Sequence, residues 1–482
     1  MPNLKREMRL VLTFLFSIFS FSFSDTLKVV DVIPKGSVSQ PFSNLEIVFN
    51  NEIKQETFTE SDIVFTGPSG QITPGAINKI SSTNYEIVFS GTGKGVYSLL
   101  LGPDIQDINN SSMAGQYKLY LFSANSTIEE NNNTYDNWNI LVYNCTLTVN
   151  GQHSFTNLKL LYNSTLTHSP TTSEKEYQLS IEITENLIID SSSKIDVSNR
   201  GYKIGYTKGN TTQGGATGKS GGSYGGLGYG DGTNAVYGNY KDPQYPGSGG
   251  GTNWSNGGSG GGLIRINAGR VKIEGSIKAD GGNGGGWADV AGSGGGILIN
   301  TGILEGSGSI SANGGNGYVN GGSGGGGRIA IYYENISNFN IDNIKAIGGT
   351  GGLGTGAAGT IYLKDKTTNK GKLIISSYGS AAGVWTPLGI TEDTKIEEDE
   401  IEIKGNGVIV APEHQMEIKA DKISIKEGAK LTHKPTTSQQ EYSLILNITD
   451  RIEIDTQSSI DVSNRGYKIG YTKGNTTQGG AT

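Results

Sequence analysis

"LIRINAGRVKIEGSIKADGGNG", residues 263–284, carries the pattern that decides the fold. Ile264, Ile266 and Ala268 alternate with Arg265 and Asn267; Val271 and Ile273 flank Lys272; Ile277 and Ala279 flank Lys278. A period of two places the apolar set on one face of an extended chain and the polar set on the other. Glycine then takes over. Three more segments align on their glycine tails: "LSIEITENLIIDSSSKIDVSNRG" (179–201), "ILINTGILEGSGSISANGGNG" (297–317) and "RIAIYYENISNFNIDNIKAIGGTG" (328–351). Their closing strands form columns. Ile195, Ile277, Ile310 and Ile344 make one, and Val197, Ala279, Ala312 and Ala346 make another two residues on. Asp196, Lys278, Ser311 and Lys345 form the polar column between them.

One such segment cannot close a core, but stacked segments can. Each buried isoleucine contributes about 1.5–3 kcal/mol if a neighbour covers it. Strands stacked about 4.8 Å apart give four segments a height of about 15–20 Å. The expected fold is all-β, with a parallel β-helix or close β-solenoid relative from about residue 136 onward and long glycine-rich loops between its rungs. Of the 75 glycines, 53 lie between 201 and 360, a density that helix interiors tolerate badly. The glycine tails are read as loops or as extended polyglycine segments, and the sequence leaves both open.

The insertion at 202–262 sets Tyr202, Tyr206, Tyr224, Tyr229, Tyr237, Tyr240, Tyr245 and Trp254 among glycines. Rings with an apolar face and a polar tip suit contact with a sugar or a protein, and equally suit packing against the strands. These eight are the candidate ligand-contact residues.

"IDVSNRGYKIGYTKGNTTQGGAT" (195–217) returns letter for letter at 460–482, and the register extends without a gap to 166–217 against 431–482. A repeat of this length is an architectural unit. Residues 136–400 are read as one glycine-rich module and 401–482 as the start of a second, truncated one; the expectation is a fragment of a longer chain.

Residues 25–124 follow a different logic. "LEIVFN" (45–50), "DIVFTG" (62–67), "YEIVFS" (85–90) and "YSLLLG" (97–102) are short, half-apolar and separated by turn signals, as in a β-sandwich. "FNNEIKQETFTESDIVFTGPSG" with "GVYSLLLGPDIQDINNSSM" resembles the bacterial Ig-like domains of S-layer and large surface proteins. That family commonly ends in an Asp-x-x-Gly-Asn-x-Met turn; here Asp107 and Met113 match, while Asn110 and Ser111 replace Gly-Asn. The resemblance implies an Ig-like sandwich, and the departure puts a cation site at the turn in doubt. "ANSTIEENNNTYDNW" opens a polar stretch, and 125–135 is read as a linker. The glycine modules, with "GSYGGLG" and "GGGGRIAIYY", resemble parts of very large secreted bacterial proteins of the adhesin type, which carry no catalytic motif to transfer.

Residues 1–24 read as a signal peptide: Lys5, Arg6 and Arg9 precede the apolar run "LVLTFLFSIFSFSF" (10–23), too short to span a bilayer. An uncleaved anchor is the alternative. Removal would shift the net charge of −7 to about −9, which disfavours nucleic acid and anionic membrane as partners. The single cysteine, Cys145, rules out an internal disulfide framework and reads as a small buried side chain. His153, His168, His414 and His433 are scattered; His168 and His433 are repeat mates in "LTHSP" and "LTHKP", read as turn contacts rather than a metal site.

Chemical motifs are weak. "QGGATGKS" (213–220) has Gln213 where a phosphate loop needs glycine. "GGNGGG", "GGNGYV" and "GGTGGL" resemble calcium-binding nonapeptides, but Gly286, Val319 and Leu353 stand where aspartate belongs. No cofactor is expected, and calcium elsewhere has no sequence support. A polysaccharide lyase or hydrolase needs converging carboxylates, for which Asp190, Asp196 and Asp280 are the nearest candidates. Eleven N-x-S/T sequons, Asn125, Asn163 and Asn447 among them, are what chance allows in an asparagine-rich chain.

The expected function is that of an exported, non-enzymatic surface protein, an adhesin-like stalk or fibre at the cell surface. Its expected partners are an extracellular glycan or surface protein and further modules of its own chain, with no membrane span once the leader is removed. The alternatives are a β-helix polysaccharide-active enzyme and a purely structural cell-envelope component.

Overall fold

A computed structural model describes residues 26–35, 43–89, 93–252, 257–285 and 289–481. The expected leader, Trp254 and Gly286 lie outside these. The described chain is all-β, with four short 3-10 turns and no α-helix. It divides into two compact units, Met1–Leu119 and Tyr120–Thr482.

In the first unit, the strand Asn44–Phe49 lies antiparallel between Val29–Lys35 and Asn84–Val88, with Ile77–Lys79 at the far edge. A second antiparallel group joins Ile63–Gly67 to Gly70–Ile72 and Val96–Leu101. Leu45, Ile47 and Phe49 point inward at every second position and are buried, as are Tyr85 and Ile87 opposite. Phe49, Phe58 and Tyr85 meet edge to face, the favoured geometry of aromatic rings. Asp107 is fully buried and accepts the amides of Asn109 and Ser111 at 2.9 and 2.8 Å. Asn110 takes a φ of 66°, which asparagine tolerates better than most residues.

The second unit is built on parallel pairing. Leu179–Ile189, Leu263–Ile273, Gly296–Gly306, Arg328–Tyr333 and Thr360–Asp365 pair side by side in chain order. Alongside runs a ladder of short strands: Ser126–Ile128, Thr146–Val149, Thr165–Thr167, Lys194–Asp196, Ser276–Lys278, Ser309–Ser311 and Ile344–Lys345. Ile195, Ile277, Ile310 and Ile344 are register partners and none is exposed. Val197, Ala279, Ala312 and Ala346 form a second buried column beside them. Asp196, Lys278 and Ser311 remain half-exposed between the two and Lys345 is exposed, so the sequence pattern and the stack agree.

Parallel order is interrupted among the described strands of this unit. Thr360–Asp365 and Lys372–Ser376 pair antiparallel, because the connection between them is too short for a parallel crossover. Asp365 caps that turn by accepting the Thr367 amide and hydroxyl at 2.8 and 2.7 Å. Parallel pairing then resumes through Lys395–Lys404, Glu417–Lys426 and Ile445–Ile454. The stretch 125–135, expected as a linker, instead contributes Ser126–Ile128 to the short-strand ladder, with Ile128 fully buried. Its asparagines supply turn geometry: Asn132 accepts the Thr134 amide at 3.2 Å. Cys145 is buried, its thiol directed at the Phe122 carbonyl 3.3 Å away.

Asparagine and aspartate side chains tie successive layers together. Asp280 accepts the Asn313 amide at 2.7 Å, and Asn313 accepts that of Ile347 at 3.0 Å. Three residues on, Asn283 accepts the Asn316 amide at 2.7 Å and Asn316 that of Thr350 at 2.8 Å. Each bond satisfies a backbone donor at the place where a strand gives way to glycine.

Candidate functional site

The glycine tails form a layer in which backbone packs on backbone. Gly292 donates to Gly282 at 3.0 Å, Gly315 to Gly292 at 2.9 Å, Gly324 to Gly315 at 3.0 Å and Gly349 to Gly324 at 2.9 Å. Other bonds cross this series: Gly261 to Ser293, Gly294 to Gly325 and Gly326 to Ala357, each at 2.9 Å. Each segment therefore finds hydrogen-bond partners on more than one side. A Cβ placed on Gly258 would stand 1.8 Å from the Gly282 carbonyl oxygen, and one on Gly324 1.9 Å from that of Gly292. No side chain fits, so the density of glycine is set by close approach rather than by turns.

This layer positions the aromatic insertion. Tyr202, Tyr224 and Tyr237 are buried as one cluster, with the half-buried Tyr206 and Tyr245 against it. Tyr224 and Tyr237 have ring centroids 4.7 Å apart. Tyr202 donates to Glu176 at 3.0 Å and Tyr237 to the Pro246 carbonyl at 2.7 Å. Burial raises the hydroxyl pKa values of Tyr202, Tyr224 and Tyr237 well above that of a free tyrosine. Arg328, also fully buried, donates to the Tyr237 carbonyl at 2.9 Å and to Thr360 at 3.2 Å, with its guanidinium 5.5 Å from the Tyr224 ring centre. Tyr240 reaches further along the chain and donates to the fully buried Glu398, which Lys241 also meets at 2.7 Å. Burial raises the Glu398 pKa. This group fastens the insertion to the strand Lys395–Lys404.

Tyr202, Tyr224, Tyr237 and Tyr240 therefore have ring faces turned into the protein, where they make the packing contacts of a core. Tyr206, Tyr229 and Tyr245 keep part of their surface at solvent. The Tyr229 ring packs against the backbone at Gly354, where a Cβ would stand 2.3 Å from it. Its amide donates to the Ser323 carbonyl at 2.9 Å.

Beside Tyr229 the glycine segments turn, and the turns carry side chains that sequence reasoning passed over. Tyr318 and Val319 are 49% and 53% exposed, and Leu353 is 41% exposed. The turns are held next to one another: the Tyr318 backbone amide donates to the Asp289 carbonyl at 3.1 Å, and Gly352 packs so closely that a Cβ would stand 1.8 Å from the Val319 carbonyl oxygen. The turns thus bring three part-exposed side chains with apolar surface together on a backbone frame held by close glycine contacts. The available signal was position. Val319 and Leu353 stand where a calcium nonapeptide needs aspartate, and an apolar residue between two glycine runs has no core to enter.

The carboxylates considered for catalysis serve as structural acceptors. Asp190 takes the Tyr162 amide at 2.7 Å and the Ser192 amide at 3.0 Å; against the cost of burial, these bonds hold its pKa down. Asp196 pairs with Lys194 at 2.9 Å and caps Ser198 at 3.0 Å. Asp280 gives one oxygen to Asn313 and the other to Ser311 at 3.0 Å, and burial raises its pKa. His168 is fully buried: Nδ1 donates to the Ser169 carbonyl at 2.7 Å, and Nε2 accepts the Leu263 amide at 3.3 Å. Burial lowers its pKa to about 4. His433 repeats the first contact, donating to Lys434 at 2.7 Å. Among the described residues, no three His, Cys, Asp or Glu side chains converge as a metal ion would need. A small cleft is lined by Asp342, Tyr378, Glu402 and Lys404, with Lys404 Nζ 4.0 Å from the Asp342 carboxylate. No described helix is long and apolar enough to cross a membrane.

The class defined by this geometry is an all-β protein with stacked parallel strands and a glycine backbone layer. No protein-family model and no curated protein matches the chain. Among solved structures, the S-layer protein rSbsC(31-844) aligns at a TM-score of 0.17 and 11% identity, over 19% of this chain and 13% of its own. The N-terminal part of the bacterial S-layer protein SbsC aligns at 0.17 and 12% identity, over 23% of this chain and 28% of its own. Escherichia coli alpha-2-macroglobulin aligns at 0.18 and 12% identity, over 20% and 6%. The chain thus spans under a third of each of these proteins.

Proposed function

We propose that this chain is an exported, non-enzymatic surface protein in which an Ig-like domain leads adhesin-like β-solenoid modules. The cluster of exposed turns at Tyr318, Val319 and Leu353, flanked by Tyr229, is its contact surface for an extracellular glycan or surface protein. That cluster carries the reading: buried glycine backbone fixes the turns, and the side chains at their tips are spared from packing. The leader-like residues 1–24 support export, and the two antiparallel strand groups of the first unit support the Ig-like assignment. Parallel pairing through the second unit supports the β-solenoid. The repeat supports multivalency, since copies of one module add weak contacts through effective concentration. The engagement of Asp190, Asp196 and Asp280 in turn and layer bonds supports a role without catalysis.

The test compares the chain with a variant carrying Tyr318→Ala, Val319→Asp and Leu353→Asp on arrays of glycans and extracellular proteins. Binding by the parent that is lost in the variant, with melting unchanged, is the expected result. Equal binding by both would remove the turns from the function. Breakdown of a polysaccharide on the array would favour the enzyme, and no binding by either would favour a purely structural envelope component.

A further inference from the structure

The repeat places one structural unit in two environments. Residues 166–216 and 431–481 make the same internal bonds: Thr167 donates to the Asp196 carbonyl at 2.7 Å and Thr432 to that of Asp461 at 2.6 Å. Arg200 donates to the His168 carbonyl at 2.9 Å and Arg465 to that of His433 at 2.7 Å. Tyr202 and Tyr467 each donate to a glutamate, Glu176 and Glu441, at 3.0 Å. Both copies are also paired on their N-terminal side. Leu187 sits on Leu158 and Ile189 on Leu160; Ile452 sits on Ile423 and Ile454 on Ile425.

The other side differs. Leu187, Ile189, Val197 and Tyr202 have no exposed surface, whereas their mates Ile452, Ile454, Val462 and Tyr467 are 40–46% exposed. Ile469 is 99% exposed. In the first copy the cover is the segment 257–279. Val271 lies over Leu187, Ile273 over Ile189 and Ile277 over Ile195. Glycines precede that strand: Gly260 donates to the Tyr202 carbonyl at 2.9 Å and Gly262 to that of Val197 at 2.8 Å. The Leu263 amide then meets His168 Nε2.

We infer that the edge formed by Ile445–Ile454, Ser459–Ile460 and Val462–Ile469 is a preformed docking site for a polypeptide segment of the 257–279 type. Such a segment is a glycine run followed by a parallel strand with aliphatic side chains at the places of Val271, Ile273 and Ile277. The edge offers unpaired backbone groups for strand addition and an apolar row at alternate positions for specificity. Its conformation is already that of the covered copy, so docking carries little ordering cost. The inference rests on the stacked-strand reading of the second unit and is independent of any ligand at the turn tips.

Hydrogen exchange by mass spectrometry tests it on the full chain, alone and with a second copy of residues 218–281 appended after Thr482. In the extended chain the amides of 446–460 slow by roughly tenfold or more, while those of 181–195 stay as they were. Ile454→Asp removes that slowing in the extended chain and leaves the melting of the unextended chain nearly unchanged. Exchange at 446–460 that ignores the appended segment would overturn the inference. So would a concentration-dependent dimer of the unextended chain that already protects 446–460, since the occupant would then be a second copy. Neither result depends on binding at Tyr318, Val319 and Leu353, which the arrays read separately.

Discussion

Acid should loosen the second unit through one buried imidazole. The His168 pKa lies at about 4 in the fold against 6.5 for an unperturbed histidine, because burial disfavours the charged ring and Arg200 adds repulsion. The Ser169 carbonyl opposes this, since it accepts from Nδ1. Protonating Nε2 also removes the acceptor for the Leu263 amide. The folded state thus resists a proton that the unfolded chain accepts. The stabilisation is fully present above pH 6.5, declines as pH falls, and is lost by about pH 4. A gap of that size corresponds to about 3–4 kcal/mol at about 1.4 kcal/mol per pH unit. Other groups titrate in the same window, so the useful quantity is the difference between the parent and His168→Gln. Glutamine cannot reproduce both ring bonds and costs about 1–2 kcal/mol at pH 7. Urea titrations at pH 7, 6, 5 and 4 should show this difference shrinking and then reversing sign. A difference that stays constant across the series would refute the assignment of acid sensitivity to His168.

Glycine mates in the repeat give a paired control. A Cβ on Gly201 would stand 2.2 Å from the Gly261 carbonyl oxygen, whereas one on Gly466 meets nothing within 4 Å. Gly201→Ala should therefore cost about 3 kcal/mol in thermal or urea melts and Gly466→Ala less than about 0.5 kcal/mol. Asn316→Ala should cost about 1 kcal/mol and speed exchange of the Thr350 amide, which loses its acceptor.

The columns of Ile195, Ile277, Ile310 and Ile344 could be read from the sequence because period-two alternation is a side-chain signal and these side chains stack in register. The glycine layer could not. Its specificity lies in backbone donors and carbonyls that every residue carries, so nothing in the letters states which segment meets which. For the same reason the tyrosines were ambiguous: a ring among glycines reads alike whether it faces solvent or Arg328. Tyr240 shows the difficulty plainly, since its partner Glu398 lies far along the chain, on a strand whose register the insertion does not encode. The antiparallel hairpin after Thr360–Asp365 interrupted a stack that alternation alone would have continued.

The glycine layer divides the protein into positions that tolerate change and positions that do not. At Gly258, Gly292 or Gly324 the addition of a single methyl group meets a carbonyl oxygen within about 2 Å, so nearly every replacement there damages the scaffold. At Tyr318, Val319 or Leu353 the side chain leaves the frame and exchange costs the fold little. Drift in such a sequence is steered toward the tips of the turns. The outward surface can thus change residue by residue while the interior stays fixed.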